Sequence, residues 1–149
     1  MQVRKMERKK RIALVAHDHK KGDIIEWAVS NKYILEKHLL YATGTTGLLL
    51  ENALGQQVIR FMSGPLGGDQ QVGSKLAEGL IDILIFFWDP MEAQPHDPDV
   101  RALLRLSVVW NIPVACDRAT ADFIFSSPLM EEEYQSILPD YAGYLSRVI

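Results

Sequence analysis

Short apolar runs alternate along the chain with segments whose apolar residues recur at helical spacing. Strands in the middle of a parallel sheet are covered on both faces, so they consist of continuous apolar residues. The runs therefore predict five strands, at residues 12–16, 39–42, 58–62, 83–88 and 114–116. The run 83–88 is apolar throughout, which is typical of a central strand.

The segments between these runs are predicted to be helices. They lie at residues 24–37, 47–54, 70–80, 97–111 and 120–125, with a further helical stretch towards residue 149. Strands and helices in this alternating order predict an α/β fold, a three-layer α/β/α sandwich around a mainly parallel five-stranded sheet. The chain of 149 residues is expected to form a single domain.

Composition narrows the class of protein. Hydrophobic residues make up 48% of the chain and charged residues 23%, as in an ordinary globular domain. The net charge of -3 gives no overall attraction to nucleic acid or to anionic membranes, so neither is expected as a partner. Basic residues cluster at the start of the chain, and residues 1–11 are predicted to be a flexible, solvated tail.

Cysteine use and hydropathy bear on cellular location. Cys116 is the one cysteine, so no internal disulfide can form, which favours a reducing compartment. The first apolar run is too short for a secretory signal, and no run approaches the roughly 20 residues of a membrane helix. We therefore expect a cytoplasmic protein.

Polar residues follow four of the five predicted strands directly. In open α/β sheets, ligands bind beyond the carboxyl ends of the strands, where such residues converge. The sequence therefore predicts a site at this edge of the sheet. The four polar segments are 17–19 (His-Asp-His), 43–47 (Thr-Gly-Thr-Thr-Gly), 63–73 and 89–90 (Asp-Pro).

The segment 63–73 contains four glycines, a proline and one carboxylate, Asp69. Glycine lets the backbone approach a ligand closely, and a carboxylate held beside a small substrate is a candidate general base. The alternative is a long surface turn with a solvated Asp69.

The segment 43–47 lies between a strand and a helix and is a candidate anion site. Backbone N–H groups at a helix start, together with hydroxyl donors, suit phosphate best. The segment is neither a P-loop nor a dinucleotide fingerprint, and an ordinary helix cap is the alternative. Lys21, Ser63 and Gly64 would add a positive charge and further donors, although Lys21 alone is equally compatible with a solvated helix start.

Two of the four histidines are placed for chemistry. His17 follows a strand, and His96 lies in a loop that prolines on both sides restrain, whereas His19 and His38 are expected on the surface. A phosphate cradle, a carboxylate base and a neutral histidine together suggest proton abstraction next to a carbonyl. A carboxylate with a pKa of about 4 is a weak base, so donors such as His96 must stabilise the enediolate.

Several segments closely resemble methylglyoxal synthase, over nearly the whole chain from Ile12 onwards. The resemblance rests on residues 15–21, 42–47, 63–73 (containing Gly-Gly-Asp-Gln-Gln), 86–90 and 95–105 (containing Pro-His-Asp-Pro-Asp). It implies a lyase without metal or other cofactor that converts dihydroxyacetone phosphate to methylglyoxal and inorganic phosphate, as a glycolytic bypass. The fold that it implies is Rossmann-like.

The resemblance also implies residue roles and partners. Asp69 would remove the C3 proton, and His96 would bind the substrate oxygens and move protons among them. A homohexamer inhibited by phosphate is implied, with a late arginine, here Arg147, reaching a neighbouring subunit's phosphate site. Phosphate would be held by Thr43, Gly44, Thr45, Thr46, Ser63, Gly64 and Lys21, with His17 lining the site and Asp18, Asp89 and Asp99 supporting it.

Two other functions remain open from the residues. The first is a regulatory module, since the fold also resembles the allosteric domain of carbamoyl phosphate synthetase, which needs neither Asp69 nor His96. The second is a metal-dependent phosphohydrolase with ligands from residues 17–19 and 96–97. Alternate positions at a strand end point in opposite directions, which argues against convergence of these ligands.

Overall fold

The computed structural model describes residues 2–147. Its main sheet has five parallel strands in the order β4-β3-β2-β5-β6. All five are the strands predicted from the apolar runs, and each differs from its predicted bounds by one residue at one end. They are β2 (Arg11–Ala16), β3 (Leu39–Thr43), β4 (Val58–Phe61), β5 (Ile83–Phe87) and β6 (Val114–Ala115).

The helices cover both faces of this sheet and confirm the three-layer α/β/α sandwich. One face packs against α1, α2, α3 and α6, and the other against α4 and α5. Alternate residues of β2 enter the two cores, with Leu14 on one side and Val15 on the other. The helices are α1 (Lys21–Ser30), α2 (Lys32–Leu35), α3 (Gly44–Leu54), α4 (Gly68–Ala77), α5 (Asp97–Val109), α6 (Arg118–Phe125) and α7 (Ala142–Leu145).

Residues 3–6 do not belong to the flexible tail that the sequence predicts for residues 1–11, of which residue 1 lies outside the described chain. Strand β1 (Val3–Met6) pairs antiparallel with β7 (Tyr134–Ile137) in a second, two-stranded sheet. Arg4 also forms an ion pair with the buried carboxylate of Asp82, at 3.0 Å. Arg4 and Arg11 of this segment therefore share a fixed partner, Asp82, which a local count of basic residues does not show.

Three local details refine the predicted elements, and the first has a simple cause. The helix predicted at 24–37 is divided at Asn31, whose side-chain amide donates to the carbonyl of Trp27 (2.9 Å) and so competes with the helical backbone pattern. Helix α5 takes His96 as its N-cap. Cys116 lies just beyond β6 and is half-buried.

Short 3₁₀ segments and the β1–β7 sheet complete the described chain. The 3₁₀ segments are Asp18–Lys20, Gly64–Leu66 and Pro128–Glu131. Within residues 2–147, each helix is too short or too polar to cross a membrane.

Candidate active site

A cleft lies at the carboxyl edge of the sheet, where the loops after β2, β3, β4 and β5 meet. Eleven of the thirteen predicted site residues line it, together with Val15, Ala16, Pro65 and Gln94. Asp89 and Asp99 are the two that do not. The eleven are His17, Asp18, Lys21, Thr43, Gly44, Thr45, Thr46, Ser63, Gly64, Asp69 and His96.

Asp69 is a buried carboxylate in the first turn of α4, with 1% of its surface exposed. Neither carboxylate oxygen accepts a hydrogen bond from any residue between 2 and 147. Loss of hydration raises the pKa of Asp69 above its ordinary value, a shift that nearby Asp99 increases and His96 opposes. The carboxylate is therefore a stronger base than a solvated one.

Two glycines bring the loop close enough to bury Asp69. Gly67 has a φ of 104°, a conformation that favours glycine. A Cβ on Gly68 would lie 1.9 Å from the carbonyl oxygen of Met62. The glycine-rich composition is thus required by a tight turn that begins α4 at the site.

His96 is a polar neighbour of Asp69 in the cleft. Its Nε2 lies 3.5 Å from Asp69 Oδ2, and the ring is buried, with 7% of the residue exposed. A Cβ on Gly64 would lie 2.8 Å from that nitrogen, so the glycine leaves room for the ring. The other ring nitrogen, Nδ1, has no hydrogen-bond partner in the described part of the chain.

His17 is fixed in one tautomer by a backbone contact. Its Nδ1 accepts a hydrogen bond from the N–H of Asp89 at 3.0 Å, so a neutral ring carries its proton on Nε2. Burial lowers the pKa of His17, and the neighbouring His96 lowers it further, which favours the neutral form of the ring. Its Nε2 is buried and meets no partner among residues 2–147. The ring centroids of His17 and His96 are 5.4 Å apart.

The other side of the cleft is built to accept an anion. Helix α3 begins at Gly44, so the backbone N–H groups of its first turn have no helical partner. Lys21 Nζ donates to Thr45 Oγ1 at 2.7 Å and lies 2.9 Å from Asp18, which places its charge at this helix start. The buried hydroxyl of Thr46 has no partner within the described residues.

Comparison with known proteins identifies the family. A family model described as an MGS-like domain matches residues 23–116. A curated methylglyoxal synthase of Vibrio cholerae serotype O1 (strain M66-2) is 57% identical over 144 residues, which cover 97% of this chain and 95% of that protein. A methylglyoxal synthase of Coxiella burnetii (strain RSA 493 / Nine Mile phase I) is 56% identical, with coverages of 94% and 98%. The crystal structure of methylglyoxal synthase from Elizabethkingia anophelis NUHP1 is 63% identical and matches with a TM-score of 0.94, covering 100% of this chain and 98% of that one.

The chain belongs to the methylglyoxal synthase family.

Similarity to enzymes over the full length decides between a lyase and a regulatory module without catalysis, two functions that the sequence alone left open. The relatives named methylglyoxal synthase match over nearly their whole length, so this chain is an enzyme, a carbon–oxygen lyase that acts on phosphates. The alternative of a regulatory module without catalysis is wrong.

The ligand set of the other alternative, a metal-dependent phosphohydrolase, does not converge. His17 faces the cleft, whereas the side chain of His19 is 62% exposed and contacts Asp89 and Glu92 outside it. The cleft therefore receives one histidine, His17, from residues 17–19.

The residues expected to support the methylglyoxal synthase site differ in their placement. Asp18 lines the cleft and pairs with Lys21. The backbone N–H of Asp89 donates a hydrogen bond to His17, whereas its carboxylate lies next to His19, outside the cleft. Asp99 accepts a hydrogen bond from Gln70 Nε2 at 3.2 Å and influences Asp69 through charge alone.

Two residues differ from the sequence expectations. His38 is buried, not on the surface, because its Nδ1 accepts a hydrogen bond from the N–H of Lys10 at 2.9 Å. Gln94 lines the cleft and was missed. Its position directly before Pro95, two residues from His96, is the feature of the sequence that indicates it.

Proposed function

We propose that this enzyme converts dihydroxyacetone phosphate to methylglyoxal and inorganic phosphate. The observation that carries the proposal is the buried Asp69 carboxylate, which lacks hydrogen bonds within the described chain and lies 3.5 Å from His96. It shares one cleft with the anion-accepting start of α3. A base and an anion site in a single small cleft suit a short phosphorylated carbonyl compound. The names of the relatives support the same product.

In the first step, Asp69 takes a proton from C3. The electron pair of the broken C–H bond forms a double bond between C2 and C3, and the carbonyl π pair moves to the oxygen on C2. The raised pKa of Asp69 makes it a better base for this carbon acid. Nε2–H of the neutral His17 and the ring of His96 are the donors available to that oxygen.

In the second step, phosphate leaves from C1. The hydroxyl on C3 loses its proton and becomes an aldehyde, the double bond moves to C1 and C2, and the C1–O bond electrons leave with phosphate. Protonation of C1 in the resulting enolate gives methylglyoxal. The C3 proton taken by Asp69 supplies the proton that C1 gains, and the hydroxyl proton passes to the departing phosphate, so atoms and charge balance. His96 transfers protons among the oxygens in this scheme.

The anion site favours elimination by orienting the phosphate. The C1–O bond breaks most readily when it is perpendicular to the enediolate plane, and residues 43–46 with Lys21, Ser63 and Gly64 would hold it there. A bound enediolate analogue whose bridging C–O bond lies in that plane would contradict this arrangement.

Incubation of the pure enzyme with dihydroxyacetone phosphate tests the proposal. We expect equal amounts of released phosphate and a dicarbonyl product, with the rate unchanged after exhaustive chelation. Phosphate without the dicarbonyl, or loss of activity on chelation, would instead indicate a phosphohydrolase.

Regulation, assembly and location follow from the family likeness as part of the proposal. Inorganic phosphate fits the same anion site as the substrate's phosphate, so it should inhibit by raising the apparent KM. A homohexamer in the cytoplasm, acting as a glycolytic bypass, is proposed on the same basis. Arg147 stacks on the ring of Tyr144 at 3.8 Å, with both side chains exposed, and is the candidate to reach a neighbouring subunit.

A further inference from the structure

A second cluster of chemically active side chains lies outside the cleft. His19 follows β2, and Asp89 and Glu92 lie on the loop after β5. The Nδ1 atom of His19 is 3.3 Å from Asp89 Oδ2 and 3.4 Å from Glu92 Oε2. One ligand atom from each of the three side chains lies within 4.8 Å of the others.

The two separations from His19 match the spacing of ligands around a tetrahedral ion. Zinc binds imidazole nitrogen and carboxylate oxygen at about 2.0–2.2 Å, so ligands in a tetrahedron lie roughly 3.4 Å apart. Both contacts of His19 have this length. Three protein ligands would leave a fourth position for water.

Asp89 is the rigid member of the cluster. Its side chain is only 5% exposed, and its Oδ1 accepts a hydrogen bond from the N–H of Met91 at 3.0 Å. The other oxygen, Oδ2, accepts no hydrogen bond from residues 2–147 and faces the ring of His19. A carboxylate oxygen that is fixed in place and free to bind is a ready metal ligand.

We propose that His19, Asp89 and Glu92 form a site for a divalent transition-metal ion, with Zn²⁺ as its best occupant. One imidazole and two carboxylates favour zinc over Mg²⁺ and Ca²⁺, which prefer sites made of oxygen atoms only. The three side chains do not line the cleft, so the ion takes no part in the proposed reaction. It would connect the loop after β2 to the loop after β5 and stabilise the folded chain.

Direct titration of tag-free protein with Zn²⁺ by calorimetry tests this site, in a buffer that does not bind metals. We expect one Zn²⁺ per chain, a rise in Tm on addition of Zn²⁺, and no heat with Mg²⁺. His19→Asn and Glu92→Gln should each weaken Zn²⁺ binding by about tenfold or more. Both side chains are exposed, so the variants should fold.

Two control variants separate this site from other sources of zinc binding. Glu131→Gln removes an equally exposed carboxylate elsewhere, and Cys116→Ser removes the thiol, and neither should change the affinity. Absence of stoichiometric binding, or equal affinity of wild type and His19→Asn, would overturn the proposal and leave a simple ion pair. Binding is measured without substrate, so the result is independent of the proposed reaction.

Discussion

The Asp69 carboxylate is buried away from water, and it accepts no hydrogen bond from residues 2–147. Such a site costs folding free energy, since burial disfavours the charged form. The rest of the fold must hold the loop that carries Asp69 in place, and Gly67 and Gly68 allow the tight turn that this loop makes. The site therefore depends on glycines, which have no side chain, as much as on the side chain of Asp69.

Gly64→Ala is expected to reduce kcat/KM by about 10²-fold, because a misplacement of roughly 1 Å has that effect on a positioned group. The new Cβ would lie 2.8 Å from His96 Nε2 and 3.4 Å from Asp69 Oδ1, so the histidine must move. Steady-state kinetics measure the change, with circular dichroism to check the fold.

The matched control for that substitution is Gly22→Ala, since a Cβ there meets no atom within 4 Å. We expect unchanged kinetics for the control. Equal activities of the two variants would show that the close approach of Gly64 and His96 is unimportant for turnover.

Most residues that line the cleft could be predicted from the sequence, because they follow strands that are recognisable as apolar runs. The contacts that orient and bury individual side chains could not be predicted from the sequence. The tautomer of His17 depends on a contact with Asp89, 72 residues away, and the burial of His38 depends on Lys10, 28 residues away. Contacts at such separations arise from the tertiary fold and leave no local pattern.

The strands also differ in whether they could be predicted from the sequence. The five strands of the parallel sheet could be predicted because burial on both faces requires continuous apolar residues. Strands β1 and β7 could not, because each has only four residues, two of them polar or charged, and they pair across most of the chain. The pairing fixes the N-terminal segment against the body of the protein.

Arg4→Ala should destabilise the protein by about 1–3 kcal/mol, because it leaves backbone carbonyls and part of a buried carboxylate without a partner. Arg4 donates to the carbonyl of Gly79 at 3.2 Å and to Asp82 at 3.0 Å, and Asp82 keeps Arg11 as its other partner. Urea unfolding measures the loss. Hydrogen exchange should rise in β1 and β7.

Lys5→Ala is the control on the same strand. The Lys5 side chain is 51% exposed, and its ion pairs with Glu7 and Glu133 are both 3.5 Å long, so its removal should cost much less stability than removal of Arg4. If the two variants unfold at the same urea concentration, Arg4 does not anchor the strand.

For the whole molecule, His38 should make stability depend on pH. Burial lowers its pKa to about 4, from 6.5 in the unfolded chain. The folded state thus favours the neutral ring, and this stability is complete above pH 6.5 and is lost as the pH falls towards 4. The loss should reach about 2 kcal/mol by pH 4.5.

His38→Asn tests that dependence, because the amide oxygen can accept the hydrogen bond from Lys10 but does not titrate. Urea unfolding of both proteins between pH 7 and 4.5, at one protein concentration, should show a steeper loss for the wild type. Parallel losses would mean that other groups cause the acid sensitivity.

The most direct measurement of the central claim is the turnover of Asp69→Asn with saturating dihydroxyacetone phosphate. The amide cannot accept the C3 proton, so we predict a fall in kcat of about 10²–10⁴-fold with the fold intact. Asp23→Asn, which changes an exposed carboxylate outside the cleft, should keep the wild-type rate. Retention of more than about a tenth of the wild-type rate by Asp69→Asn would contradict the account, because a different group would then be the base.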